Sequence, residues 1–388
     1  MKVKLAALAA LAAFASSAYA QSSVTLYGVV DSGLLYQSTS GPVLVPSAAA
    51  AAKFKSPGSV FALKDGGIYS SGWGIKGTED IGGGYKVNFK LQGSFQSTSG
   101  ALQLSDTPGV SAIFNQYSTI GLSGPFGSFD AGRQIVPMIW AMQDTDVRGA
   151  QYFGSILTAW IGMNQAAGWV PTSTNAPIGA LYDSNALVYH SPNFHGVTAE
   201  LEYAPGGVAG QIQGGTRESA VLRYAYNGLH LAAVYYNGHD TNPFAPTATG
   251  TPVTPATGND NNRFYYLGAR YQLQGFEASV SYSLGKNPSN SNKANLDLVS
   301  GGLGYAFSPQ FSISSGIYYL HSKSEQVPGH STEVSLGADY KISKQTTLYA
   351  EVGHVDNRGI MNQMIVYGQF VAPDANTTAA MVGVRHNF

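Results

Sequence analysis

The stretch Tyr85-Lys86-Val87-Asn88-Phe89-Lys90-Leu91-Gln92 carries an apolar or aromatic side chain at every odd position and a polar one at every even position. Successive side chains of a β-strand point to opposite faces, so this segment reads as a strand with one greasy and one wet face. A water-soluble sandwich alternates too, but it covers its outer face with charge. In this 388-residue chain only 11% of residues are charged, against about 25% in a typical soluble domain. Aromatic residues reach 12%, with 24 Tyr, and there are 47 Gly. A transmembrane barrel inverts the soluble arrangement, turning the apolar face to lipid and the polar face to a lumen.

Working outward, the rest of the chain supports the same reading. Beyond the first twenty residues no run of 18 or more apolar residues occurs, which excludes helical spans. Cysteine is absent, so neither a disulfide framework nor a thiolate metal site is available and backbone pairing must hold the chain. Long Gly/Ser/Pro/Asn-rich gaps lie near 38–69, 98–113, 137–183, 205–217, 239–262, 286–295, 323–330 and 355–376. Between them fall short turns at 80–84, Gly124-Pro125-Phe126-Gly127, 192–196, Asn227-Gly228, Gln274-Gly275, Ser308-Pro309 and Ser343-Lys344, built from residues with free or preset φ. Eight long and seven short connections predict an all-β fold of sixteen antiparallel strands. Their strict alternation puts every long loop on one side and every short, periplasmic turn on the other. Closure satisfies every backbone N–H and C=O in lipid, and sixteen strands leave an aqueous channel.

The N-terminus reads as an export signal. Lys2 and Lys4 precede an apolar run over 5–15 that is too short to cross a bilayer, and Ala18-Tyr19-Ala20 offers a small-x-small cleavage site. Residues 1–20 are therefore expected to be removed, leaving 21–388 as a single barrel. Loss of the two lysines takes the formal charge from −1 to −3. That balance argues against a nucleic-acid partner, which calls for a basic excess.

Several motifs follow one another in order: Ser23-Val24-Thr25-Leu26-Tyr27-Gly28-Val29-Val30-Asp31-Ser32-Gly33, Gly77-Thr78-Glu79-Asp80-Ile81-Gly82-Gly83-Gly84, Gly121-Leu122-Ser123-Gly124, Gly132-Arg133-Gln134 and Ser191-Pro192-Asn193-Phe194. Together they resemble the general trimeric porins of Gram-negative bacteria, most closely the β-proteobacterial branch. The closing Met381-Val382-Gly383-Val384-Arg385-His386-Asn387-Phe388 is similar to that family's last strand. The resemblance spans the whole mature chain. It implies an outer-membrane pore for ions and small hydrophilic solutes, a homotrimer in contact with outer-membrane lipid and lipopolysaccharide, and Phe388 as the signal read by the barrel-assembly machinery. It also implies a third external loop folded into the lumen. The residues support this last point independently, because 137–183 carries Ile139, Trp140, Phe153, Ile156, Leu157, Trp160, Ile161 and Trp169, too much apolar surface to leave in water.

Permeation depends on pore width and on charge at the narrowest level. The inward loop holds Asp144, Asp146 and Arg148 and then no ionisable side chain until Asp183. Opposite it, alternation points Lys76, Lys86 and Lys90 into the lumen. The resemblance implies loop acids facing a basic wall across the constriction, with Arg133 bracing the root of the loop. The wall is less basic than the family pattern: Gly72 and Gln116 stand where relatives carry Arg, and Val29 where a first-strand Lys or Arg is common. Weak charge selectivity with a slight anion preference is the expectation, and no cofactor or metal is implied. Gly72-Trp73-Gly74-Ile75-Lys76-Gly77 matches G-x-G-x-x-G but lacks the strand-to-helix turn and distal acid of a dinucleotide site. His354-Val355-Asp356 and His239-Asp240 raise an enzyme with a rim site as an alternative, without a placed nucleophile. A substrate-selective channel is another, with Trp140, Trp160 or Trp169 guiding sugars if exposed and anchoring the loop if buried.

Overall fold

A computed structural model describes residues 23–42, 45, 47–103, 111–169, 176–239, 257–289 and 293–388. The expected export signal at 1–20 lies outside them. The sheet opens with β1 (Ser23–Gln37), β2 (Val60–Asp65), β3 (Ser71–Gly82), β4 (Tyr85–Phe95), β5 (Tyr117–Gly124) and β6 (Gly127–Ile135). It continues with β7 (Tyr182–His190), β8 (Val197–Ala204), β9 (Arg217–Tyr226), β10 (Leu229–His239), β11 (Asn261–Leu273) and β12 (Phe276–Asn287). The last strands are β13 (Ala294–Ala306), β14 (Phe311–Ser322), β15 (Gly329–Lys341), β16 (Thr346–Gly359) and β17 (Asn376–Asn387). From β3 to β17 each strand pairs antiparallel with the next, and β1 closes the ring on β17 from Val29↔Asn387 to Gln37↔Ala379.

On its other side β1 meets two segments. Its first half pairs with β3 and its second half with β2, so β2 and β3 form one stave interrupted at 66–70. The described barrel is therefore sixteen staves made from seventeen strand segments. The first long gap, read from sequence as irregular, contains both β2 and a short helix, α1 (Ala48–Lys53).

The short turns have the chemistry their sequences announce. At Asn227-Gly228 and Gln274-Gly275 both central residues have positive φ, as a two-residue hairpin matched to strand twist requires. Alternation sorts the faces: Val280 is exposed towards lipid while its neighbour Ser281 is buried inside.

The first and last residues of the barrel meet. Gly28 and Phe388 exchange backbone hydrogen bonds of 3.0 and 2.9 Å, and the Phe388 ring lies over Gly28 so closely that a Cβ there would be 2.3 Å from it. The absent side chain makes room for the Phe388 ring. The same Cβ would sit 2.9 Å from the Gly72 carbonyl oxygen, so Gly28→Ala is expected to lower the temperature at which the barrel unfolds. Overpacking of this kind costs about 1–3 kcal/mol. Heat-modified migration on a gel measures it, and an unchanged transition would contradict this packing.

The interior departs from a uniformly wet lumen. Tyr236, Phe264, Tyr266, Leu296, Leu298, Tyr318 and Leu320, inward-facing on β10, β11, β13 and β14, are all buried. They pack against two helices of the long loop, α2 (Pro137–Thr145) and α3 (Ile156–Ala166). Pro137 starts α2 where its missing N–H costs nothing, and Ser155 and Thr158 cap α3 reciprocally. Every residue of α3 is buried. The loop thus lies inside the barrel, as its apolar content requires, and the wall beneath it is apolar to match.

Candidate functional site

The inward loop is held by charge as well as by apolar packing. Arg148 is 1% exposed and pairs with Glu351 on β16. Its guanidinium also donates to the Gly154 and Phe153 carbonyls at 3.1 and 2.9 Å and to the Ser314 hydroxyl at 2.9 Å. The Asp146 carboxylate, also buried, accepts from the Ala150 and Ile156 amides and from the Tyr318 hydroxyl at 3.0–3.2 Å. Burial pushes this carboxyl above its ordinary range, and the two amides offset part of that shift.

The break at 66–70 is the second anchor. Asp31 on β1 accepts from the amides of Gly67, Ile68 and Tyr69 at 3.0–3.1 Å and from the Tyr349 hydroxyl at 2.7 Å. These are the donors that the interrupted ladder would leave unpaired. The bulge then grips the loop, with the Ile68 carbonyl accepting from the Tyr152 amide at 2.9 Å and the Tyr69 hydroxyl donating to the Gly149 carbonyl at 2.5 Å. The eighth long connection closes over the same region. Phe153 bridges to Val366, the Gly154 amide reaches the Ile365 carbonyl at 2.8 Å, and the Tyr152 and Tyr367 rings lie 4.5 Å apart.

Arg133 on β6 ties the segment before β5 to β7, donating to the Asn115 carbonyl at 2.7 Å and the Ser184 hydroxyl at 2.9 Å beside the Tyr182 ring.

A belt of charge runs around the remaining wall. Lys76 and Lys90 are register partners on β3 and β4, and each ammonium lies over a ring, Tyr27 at 5.2 Å and Tyr117 at 3.4 Å. Among the described residues neither has a carboxylate within 4 Å. Lys86 stands apart, exposed at the turn end of β4 opposite Asp80. The chain of acids begins at Asp130 on β6, 3.6 Å from His190, whose other ring nitrogen is 2.9 Å from Glu200. Arg223 then bridges Glu200 at 2.5 Å and Asp144 of the loop at 2.9 Å.

The structure therefore brings Lys76 and Lys90 together, ties Asp144 to Arg223, and places Asp146 and Arg148 in the buried anchor. Asp130, His190, Glu200 and Arg223 were not singled out from sequence. Period-2 alternation marks each as lumen-facing, but only the strand registers place them on one belt.

Beneath the loop lies a cavity of about 430 Å³ lined by Lys76, Lys90, Thr25, Thr119, Tyr117 and Trp140, among others. Trp160 and Trp169 are buried in the loop packing, whereas Trp140 is half-buried and borders this cavity. The rim histidines have local partners: His354 meets the Thr378 hydroxyl at 2.9 Å, and His239 the Gly258 carbonyl at 3.0 Å.

Residues 7–360 match the family model described as Gram-negative porin. The chain is 28% identical to an outer membrane porin protein of Bordetella pertussis over 428 residues and 28% identical to outer membrane porin protein 32 of Delftia acidovorans over 397 residues, each alignment covering 100% of both chains. Among solved structures, an anion-selective porin from Comamonas acidovorans superposes with a TM-score of 0.71 at 22% identity, covering 95% of this chain and 100% of that one. The trimer form of OmpT, an outer membrane protein of Vibrio cholerae, gives 0.63 at 15% identity, covering 95% and 99%.

Proposed function

The chain belongs to the Gram-negative porin family and is a passive outer-membrane channel, and from that premise we propose that it is a size-limited pore with a weak preference for anions. One observation carries the preference. The acids Asp130, Glu200 and Asp144 cluster with His190 and Arg223 on β6–β9 and the loop, whereas Lys76 and Lys90 stand together on β3 and β4 with no carboxylate within 4 Å among the described residues. That separation presents a permeating anion with two adjacent ammoniums on one stretch of wall, and this local field favours anions weakly. The similarity to an anion-selective porin of Comamonas acidovorans supports the same sign.

Asp146 and Arg148 act in this reading as anchors that fix the loop, and Lys86 as a charge at the turn-end mouth. Arg133 braces the loop root. Residues 1–20 serve as a cleaved export signal. Phe388, exposed at the end of β17, is available to the assembly machinery. A homotrimer in contact with lipopolysaccharide is the assembly this reading favours, and the trimeric neighbour supports it. The barrel catalyses no reaction in this account.

In a KCl gradient across a planar bilayer, the zero-current potential is expected to take the sign of a modest chloride preference. Lys90→Glu is expected to reverse it, because one free ammonium becomes a carboxylate beside the other. A strong cation preference of the unaltered protein would contradict the charge assignment.

A further inference from the structure

We propose that the cavity beneath the inward loop is a transient binding site for small organic anions that carry an aromatic ring, of the benzoate type. The proposal rests on the channel reading above. Two sets of groups face this cavity. One is the Lys76–Lys90 pair, set side by side by strand register and held over Tyr27 and Tyr117. Two adjacent ammoniums suit the two oxygens of a carboxylate. The other is Trp140 on α2, which lines the cavity together with Tyr117.

The contrast within the loop makes Trp140 informative. Trp160 and Trp169 are 0% and 1% exposed, while Trp140 is left half-buried at the edge of a water-filled space. A flat ring beside it removes apolar surface from water and gains an offset or edge contact. An inorganic anion or acetate gains only the ammoniums. The cavity, about 430 Å³, lies within the usual range of small-ligand pockets, ~300–1,000 Å³. The acidic side chain on its lining is Asp130, which turns towards His190 at 3.6 Å, and beside that imidazole and the two lysines the polar lining is hydroxyl, amide and indole. A site inside a conducting pore must release its ligand readily, so retention is expected at millimolar concentration.

The experiment is chloride current through single channels with benzoate, cyclohexanecarboxylate or acetate added to both sides. Benzoate is expected to reduce the current saturably, cyclohexanecarboxylate less, and acetate hardly at all. Lys76→Gln and Lys90→Gln should each raise the half-blocking benzoate concentration about tenfold, while their own open-channel currents report that they have folded. Trp140→Leu should erase the difference between benzoate and cyclohexanecarboxylate, and Trp140→Phe should keep it. Equal effects of benzoate and acetate, or block unchanged in both lysine variants, would overturn the site and leave the channel standing. A protein that passes no current would overturn both.

Discussion

Arg148→Ala is expected to release the inward loop and to produce channels of larger, noisier conductance. The guanidinium is the cation that answers Glu351, and it also satisfies the Gly154 and Phe153 carbonyls at the turn where α2 gives way to α3. Removing it leaves buried Glu351 without its cation and the nearby buried Glu333 with only the Gln363 amide to answer it. Breaking a buried pair by deleting one partner costs about 3–5 kcal/mol. The backbone ladder of the barrel is untouched, so the cost falls on the loop. Deleting both members should recover part of the loss, since Arg148→Ala/Glu351→Ala strands no buried charge on that pair. Single-channel recordings of the two variants make the comparison. Unaltered conductance in Arg148→Ala would mean that apolar packing alone holds the loop.

Asp31→Ala is expected to be comparably damaging from the opposite wall. One carboxylate there satisfies three successive amides and a tyrosine hydroxyl at a point where the sheet offers them no partner. Hydrogen bonds to a charged group contribute about 1.5–3 kcal/mol each, and stranded buried donors add to the penalty. A loss of ~3–5 kcal/mol is a conservative sum for the group. The consequence should reach the loop, because the bulge that Asp31 shapes is the one that holds Tyr152 and Gly149. Lower thermal stability with altered conductance is the expected pair of results. Asp31→Asn, which keeps two acceptor lone pairs, should be milder. Wild-type stability in Asp31→Ala would remove the bulge from the anchor.

The sequence shows clearly where local rules act alone. Tyr85-Lys86-Val87-Asn88-Phe89-Lys90-Leu91-Gln92 lies wholly within β4, and Asn227-Gly228 turns where its φ freedom permits. The inward loop is legible because so many large apolar side chains cannot stay in water. Which of its charges face water is not legible, because Asp144, Asp146 and Arg148 sit in one short stretch and only tertiary burial separates them. The apolar wall is hidden for a related reason. Arg263-Phe264-Tyr265-Tyr266-Leu267 is apolar on both faces over most of its length, one face for lipid and one for the loop, so alternation gives no contrast there. Arg223 and Asp144 lie 79 residues apart, and their meeting depends on the register of every strand between them and on the loop's path. Asp31 looks from sequence like one polar residue in a strand motif. Its role appears only once β2 and β3 are seen as one broken stave.

The central claim is a water-filled pore that conducts passively. Current through purified, folded protein in a planar bilayer tests it most directly, recorded as a function of voltage and of KCl concentration. The account predicts stepwise openings with a linear current–voltage relation near zero and a conductance that rises in proportion to salt. A sealed barrel that passes no current, or a KCl conductance that saturates at low concentration, would contradict it.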